Sequence, residues 1–116
     1  MKLCDIASYV KDKIKVNNIN ADEYVTTDNM LPNRRGITKN ETLPKANSVT
    51  KYLQDDVLIS NIRPYFKKIW YANQRGGCSN DVLVFRVKDK NLCSSKFLYY
   101  ALSQDSFFDH MMAGAI

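Results

Sequence analysis

Two apolar runs constrain most strongly what this chain can fold into. They cover residues 57–62 and 82–87, and Val, Ile, Leu and Phe dominate both of them. Short continuous runs of β-branched and aromatic residues are typical of strands that are buried in a sheet. We therefore predict that both runs are strands and that they belong to one sheet.

Weaker patterns predict the remaining strands and loops. Residues 23–27 and 69–72 are rich in β-branched and aromatic side chains, which favours two further strands. The adjacent glycines Gly76 and Gly77 predict a turn or a close approach of the backbone. The stretch 30–48 contains two prolines, a glycine and many polar residues, so we expect it to be mostly loop.

Helical periodicity appears at both ends of the chain. Apolar residues recur at intervals of three and four over residues 3–14, and again beyond a possible N-cap serine at position 94 or 95. We expect Leu98, Leu102 and Phe108 to be buried against the sheet or beside the first helix. The predicted fold class is therefore α+β: a single compact domain with a central mixed or antiparallel, curved β-sheet and helices near both termini.

Composition narrows the possible functions. The chain has 116 residues, which fits one domain, and its net charge of +5 favours an anionic partner. No stretch is apolar enough for a signal peptide or a membrane span. Cys4, Cys78 and Cys93 lie too far apart for a zinc or redox motif, so we expect free thiols. A catalytic pair of one cysteine with His110 stays open, but no nuclease, methyltransferase or nucleotide-binding motif is present, which disfavours an enzyme.

Cations and aromatic rings are interleaved between the two apolar runs. In the segment NIRPYFKK, residues 61–68, Pro64 is expected to hold Arg63 in an extended conformation. From there the guanidinium can pair with a phosphate or with guanine O6 and N7. The loop LPNRRGITK adds two adjacent arginines, and the segment QRGGCSN adds amide and hydroxyl groups suited to base edges. A sheet with a charged, solvated face is the alternative explanation of this pattern.

These segments resemble a known family. YVTTDNMLPNRRGIT, DDVLISNIRPYFKKIWYA, GGCSNDVLVFR and FLYYALSQDSFFDHMMAG are similar to the target recognition domain of type I restriction-modification specificity (S) subunits. The resemblance runs from about Leu3 to Gly114, and residues 57–86 are its most specific part. The chain departs from the family in having one recognition domain and no spacer helices. It also ends at Ile116, where the family continues into a basic loop, so we expect residues 1–116 to be one recognition domain truncated at its C-terminus.

The resemblance implies a cytoplasmic protein of bacterial or archaeal DNA defence that recognises one half-site of a split double-stranded DNA sequence. Such domains have no catalytic site, metal or cofactor of their own and no membrane association. Methyltransferase (M) subunits, which carry S-adenosylmethionine, and restriction (R) subunits join them in the full complex.

The residues and the resemblance together give an expected DNA-contacting set. The cations are expected to contact phosphate or guanine, the amide and hydroxyl side chains to read bases, and the tyrosine to pack on a sugar or a thymine methyl. We expect Arg63 to matter more for sequence choice than Lys67 or Lys68. A protein-interaction module that binds sibling restriction-modification subunits without reading DNA is the alternative function. The expected set is Arg34, Arg35, Lys39, Asn61, Arg63, Tyr65, Lys67, Lys68, Gln74, Arg75, Ser79 and Asn80.

Overall fold

Two four-stranded sheets and two C-terminal helices form one α+β domain in the computed structural model, which describes residues 3–113. Short 3-10 turns connect several of the elements. In chain order the helices and strands are α1 (Leu3–Ile6), β1 (Ala7–Tyr9), β2 (Lys13–Lys15), β3 (Tyr24–Val25), β4 (Ser48–Tyr52), β5 (Val57–Ser60), β6 (Ile69–Tyr71), β7 (Gly76–Cys78), β8 (Val82–Val87), α2 (Ser95–Leu102) and α3 (Asp105–Met112).

The first sheet has the strand order β1-β8-β5-β6 and is antiparallel throughout. Its two central strands are the apolar runs that the sequence singles out, and they pair from Val57 opposite Phe85 to Ser60 opposite Val82. Every residue of β5 and all of β8 except Arg86 are buried. The prediction that both runs belong to one sheet is confirmed.

The second sheet has the order β2-β4-β7-β3, with β7 parallel to β3 and antiparallel to β4. Because side chains alternate across a strand, β5 faces two different layers. Leu58 packs with Tyr52 and Cys78 of the second sheet, whereas Val57 and Ile59 pack toward the helices. The domain is therefore a three-layer stack of helices, first sheet and second sheet, rather than the single central sheet that was expected.

The C-terminal helices agree with the prediction. The Ser94 hydroxyl accepts a hydrogen bond from the Phe97 backbone N at 3.0 Å and caps α2. Leu98, Leu102 and Phe108 are at most 1% exposed and belong to the core between the helices and the first sheet. Their burial, predicted from the helical spacing, is confirmed.

The prediction of an N-terminal helix over residues 3–14 is wrong beyond its first turn. Helix α1 ends at Ile6, and the chain then forms β1 on the first sheet and β2 on the second. The apolar residues Ala7 and Val10 are buried by strand pairing and not by a helical face, since Ala7 lies opposite Val87. Tertiary pairing has overridden the apparent period, so the longer helices lie only toward the C-terminus.

Gly76 and Gly77, for which the sequence predicts either a turn or a close approach of the backbone, lie in strand β7 in the interior of the second sheet. A Cβ atom on Gly76 would lie 2.1 Å from the Glu23 carbonyl oxygen, and one on Gly77 would lie 2.4 Å from the Val49 Cγ2 atom. Both glycines are therefore required by close packing and not by a turn. The side chain of Cys4 and the C-terminal residues from Gly114, on which a thiol and a truncation were predicted, lie outside the described residues.

Candidate nucleic-acid interface

Two loops that are far apart in sequence join to form one surface, which we call the loop pair: residues 31–36 and 61–68. The backbone N of Asn33 donates to the Phe66 carbonyl at 2.8 Å, and the backbone N of Arg34 donates to the Lys67 carbonyl at 2.9 Å. A further bond from the Leu31 N to the Gly36 carbonyl, at 2.8 Å, closes the first loop. The two loops therefore hold each other in place through backbone hydrogen bonds.

The loop pair contains an unusual concentration of left-handed backbone. Asn33, Arg34, Arg63 and Lys67 have φ values of 59°, 63°, 48° and 55°. Asp55 is the one other non-glycine residue with a positive φ in the part of the chain that the structure describes. This conformation costs about 1–2 kcal/mol for an ordinary L-residue, and such residues cluster where function fixes the backbone. The loop pair is therefore a candidate for a ligand-binding site.

Arg63 does not adopt the extended conformation that was expected from the proline after it. Its φ of 48° and ψ of 69° place it in the left-handed region, at the start of the 3-10 turn Pro64–Phe66. The Arg63 carbonyl accepts a hydrogen bond from the Phe66 N at 3.0 Å. Pro64 disfavours right-handed helical geometry for the residue before it, and the turn is satisfied by left-handed geometry instead.

Two cations of the loop pair are anchored on helix α3. The Arg34 Nε donates to the Ser103 carbonyl at 2.6 Å, and the guanidinium stacks over the Phe108 ring with Cζ 5.5 Å from the ring centroid. The Oδ1 atom of Asp105, in the first turn of α3, lies 2.5 Å from Arg34 NH2 and 2.8 Å from Lys67 Nζ. Hydrogen bonds from Lys67 and then Arg34 lower the pKa of Asp105 below its ordinary value.

This lowered pKa predicts a pH dependence of the anchor. A carboxylate whose pKa is depressed by folding contributes stability above its unfolded value, here near 3.8, and loses that contribution as the pH falls through the lower folded pKa. At pH 6 the melting temperature of Asp105→Asn should lie below that of the unmodified protein. The gap should close as the pH drops below the unfolded value. The control is Asp109→Asn, an exposed carboxylate on the same helix. A gap that persists unchanged at the lowest pH would contradict the anchor.

The third internally engaged cation is Lys68. Its Nζ donates to the Thr27 carbonyl at 2.9 Å and lies 5.8 Å from the centroid of the Phe66 ring. By contrast, Arg35 and Arg63 are exposed, and neither side chain forms an ion pair or hydrogen bond with another described residue. The loop pair therefore separates cations that hold the backbone from cations that are available to a ligand.

Exposed aromatic and amide side chains lie in the segment that carries Arg63 and in the turn beside it. Tyr65 is 54% exposed and its ring lies 4.8 Å from that of Phe66. Asn61 is exposed. It lies beside the turn at residues 79–81, since its backbone N donates to the Asp81 carbonyl at 2.8 Å. In that turn Asn80 is exposed, whereas the Ser79 hydroxyl is hydrogen-bonded to the Asp81 carboxylate.

Lys39 lies just beyond this surface and is also exposed. The chain before it is fixed by an isolated bridge between Met30 and Ile37 and by a bond from the Thr38 N to the Asn29 carbonyl at 2.8 Å. Lys39 therefore directly follows the segment that closes the first loop.

Gln74 and Arg75 are not part of the loop pair, although both were expected in the DNA-contacting set. They precede β7, whereas Ser79 and Asn80 follow it, so the two pairs lie at opposite ends of that strand. The Gln74 Nε2 donates to the Asp22 carbonyl and to the Tyr52 hydroxyl, both at 3.1 Å. Burial raises the pKa of Tyr52 to about 12, and its hydroxyl in turn donates to the Glu23 carbonyl at 2.7 Å. The Gln74 side chain is thus engaged in packing the second sheet.

Arg75 instead joins three lysines that the sequence reading missed. Lys13, Lys15 and Lys51 line the same groove as Arg75. The alternating segment KIK at residues 13–15 was a usable signal, because alternation places its two lysines on one face of a strand. Assigning that segment to a helix hid the pattern.

Features that would indicate other chemistry are sparse. Among residues 3–113 no group of His, Cys, Asp and Glu is arranged to hold a metal ion. Burial raises the pKa of the Cys78 thiol to about 12. Cys93 and His110 line a common groove, but the Cys93 thiol is directed at the Ser94 carbonyl, 3.4 Å away. Within the same described range, no helix has the length and apolar character needed to cross a membrane.

Comparison with known proteins adds no family assignment. No protein-family model matches the chain, and no curated protein matches it.

Proposed function

We propose that this protein binds double-stranded DNA through the loop pair and recognises one half-site of a split sequence, as a non-catalytic specificity component of a type I restriction-modification complex. It would act in the cytoplasm without a cofactor of its own. Methyltransferase subunits carrying S-adenosylmethionine and restriction subunits would be its partners in the full assembly. The resemblance in sequence motifs supports the assignment to a restriction-modification complex. The geometry of the loop pair supports its role as the DNA-binding surface.

The observation that carries this proposal is the division of labour among the cations of the loop pair. Arg34 and Lys67 are tied to Asp105, and their backbones cross-link the loops. Arg35 and Arg63 are left exposed. The two loops that carry them have left-handed backbone geometry at Asn33, Arg34, Arg63 and Lys67. The planar fork of a guanidinium can form two parallel hydrogen bonds to a phosphate or a guanine.

The neighbours of these arginines fit the same ligand. The exposed amides of Asn61 and Asn80 have the donor and acceptor pair that matches the major-groove edge of adenine. The exposed ring of Tyr65 offers an apolar surface for a sugar or a thymine methyl. Phosphate contacts would position the domain and the amides would contribute sequence preference.

The test is a titration of a fluorescent DNA duplex at several salt concentrations. We expect weak binding whose logarithmic affinity falls by about 0.9 per phosphate contact for each decade of salt. Two to four contacts would give a slope of about −2 to −4. No methyl group should be transferred from added S-adenosylmethionine. An affinity that is independent of salt, or methylation by the purified chain, would contradict the proposal.

A second candidate function, binding to a protein partner, is favoured by one observation. An apolar groove of about 720 Å³ lies beside α2 and α3 and is lined by residues that include Ile6, Phe97 and Phe107. Leu92 is 73% exposed and Phe97 is 55% exposed at this groove. Exposed apolar patches mark interaction sites in many proteins. If this function replaces DNA binding, the duplex titration should show no complex at any salt concentration.

A further inference from the structure

The second sheet carries a cationic groove, here called the strand-edge groove, that is separate from the loop pair. Its volume is about 620 Å³. None of the residues that line it within the described chain is acidic. The lining residues are Lys13, Ile14, Lys15, Asn18, Lys51 and Arg75.

The fold brings three segments to this groove. Lys13 and Lys15 lie on β2, an edge strand, opposite Thr50 and Ser48 of β4, so their side chains project from the other face of the sheet than that of Lys51. The Lys13 Nζ accordingly lies 3.5 Å from the Thr50 Oγ1 atom. Lys51 lies on β4, where it pairs with Gly77 of β7, and Arg75 enters beside it because it directly precedes β7. No local sequence pattern joins these segments.

Protection of the sheet edge does not explain the whole groove. Lysines on an edge strand block pairing with another chain, and this accounts for Lys13 and Lys15. It does not account for Lys51, which lies on an interior strand, or for Arg75, which lies outside the strands.

The carboxylate of Asp12, which adjoins Lys13 in the chain, pairs with Arg86 and not with a residue of the groove. The Asp12 Oδ2 lies 3.7 Å from Arg86 NH1, while the Asp12 carbonyl accepts from the Lys51 backbone N at 2.7 Å. Lys51 and Arg75 line the groove together, where their like charges repel each other, and a bound anion relieves that repulsion.

We infer that the strand-edge groove is a second phosphate-binding site, distinct from the loop pair, that takes phosphate groups of a polyanion. Arg75 and Ser79 flank the three residues of β7, and four extended Cα–Cα steps separate them by about 13 Å. One helical turn of duplex DNA is about 34 Å long, which exceeds this distance. The backbone of a nucleic acid and a free polyphosphate present the same chemistry to the groove, and the experiment distinguishes these sources.

The experiment compares two double variants with the same change in charge. Lys51→Gln/Arg75→Gln alters the groove, and Lys45→Gln/Lys96→Gln alters two exposed lysines elsewhere. The probe is inorganic tripolyphosphate, with affinity measured by calorimetry and by the rise in melting temperature. We expect the unmodified protein and the control to bind it, and the groove variant to lose at least tenfold in affinity. Arg75→Gln alone, at an exposed position outside the strands, provides a second variant should the first fail to fold, and it should also weaken binding.

A duplex titration then identifies the source. If the groove variant lowers the salt slope by about 2 relative to the control, two backbone phosphates of DNA occupy the groove. If the slope is unchanged while tripolyphosphate affinity falls, a free polyphosphate is the ligand, and the phosphate site is again supported. Equal tripolyphosphate affinity in groove variant and control, or none in the unmodified protein, overturns the inference. Arg35→Ala/Arg63→Ala should retain tripolyphosphate binding, so this result does not depend on the loop pair.

Discussion

Replacing Asp56 by alanine is expected to lower the free energy of unfolding by about 3 kcal/mol. Asp56 is 1% exposed, and its two carboxylate oxygens each accept a 2.8 Å hydrogen bond from Arg86, one from Nε and one from NH2. The backbone N of Leu53 donates a third bond to it at 2.8 Å. Removing the carboxylate leaves a partly buried guanidinium and a backbone donor without their partner. This costs more free energy of folding than replacing both members of the pair by apolar residues. Denaturant unfolding measures the loss.

The matched control is Asp12→Ala, which removes the second carboxylate near the same arginine. Asp12 is 67% exposed and lies 3.7 Å from Arg86 NH1, so its loss should cost less than about 1 kcal/mol. The contrast matters because Asp56 precedes β5 and Arg86 lies on β8, the two central strands beside the loop pair. Equal losses in the two variants would show that the buried pair does not stabilise this junction.

The second large effect concerns DNA binding. The double variant Arg35→Ala/Arg63→Ala is expected to weaken binding to duplex DNA by about 100-fold, which corresponds to roughly 1.4 kcal/mol for each side chain. Both side chains are exposed and free of internal partners among the described residues, so their removal should leave the fold intact. Binding is measured by fluorescence anisotropy, with the melting temperature as a check on folding.

Single variants separate the two arginines and the anchors. Within a complete specificity subunit, Arg63→Ala should relax discrimination at one base pair if its guanidinium pairs with guanine. Lys67→Ala should instead lower stability together with affinity, because Lys67 holds Asp105. The control Lys45→Ala/Lys96→Ala changes the charge equally and should weaken binding only slightly. If this control loses as much affinity as the arginine variant, net charge and not the loop pair governs binding.

The central strands and C-terminal helices were predictable because their signals are local. The strands β5 and β8 are almost wholly buried, so the sequence must be apolar over each run. Helix α2 has a serine cap and one apolar stripe, which includes the buried residues Leu98 and Leu102. Burial on both faces of a strand, or on one face of a helix, leaves a period that can be read without knowledge of the partners.

The N-terminal segment and β7 were not predictable in the same way. The spacing of Ala7, Val10 and Ile14 fits a helix, but these residues are divided between two sheets by pairing with partners distant in sequence. Gly76 and Gly77 have no side chains that report burial, and the carbonyl of Glu23 explains the need for glycine at the first of them. Long-range contacts decided both structures.

The candidate site shows the same limit. Clustering of cations and aromatics in sequence pointed to the two loops, and the structure joins the loops that carry Arg35, Arg63 and Tyr65 by backbone hydrogen bonds. The sequence could not indicate which cations form contacts within the protein, because Arg34 is bound to a carboxylate 71 residues away. Nor could it place Arg75 with Lys51, since only the pairing of β4 with β7 brings them together.

The central claim, that the loop pair is the DNA-binding surface, is tested most directly by nuclear magnetic resonance. Isotope-labelled protein is titrated with a duplex of mixed sequence at low salt, and the shifts of the backbone amides are followed residue by residue. We predict the largest shifts at residues 33–36, 61–68 and 79–81. These shifts should saturate at a lower DNA concentration than any shifts at the apolar groove beside α2 and α3. Shifts confined to that apolar groove, or no shifts at any DNA concentration, would contradict it.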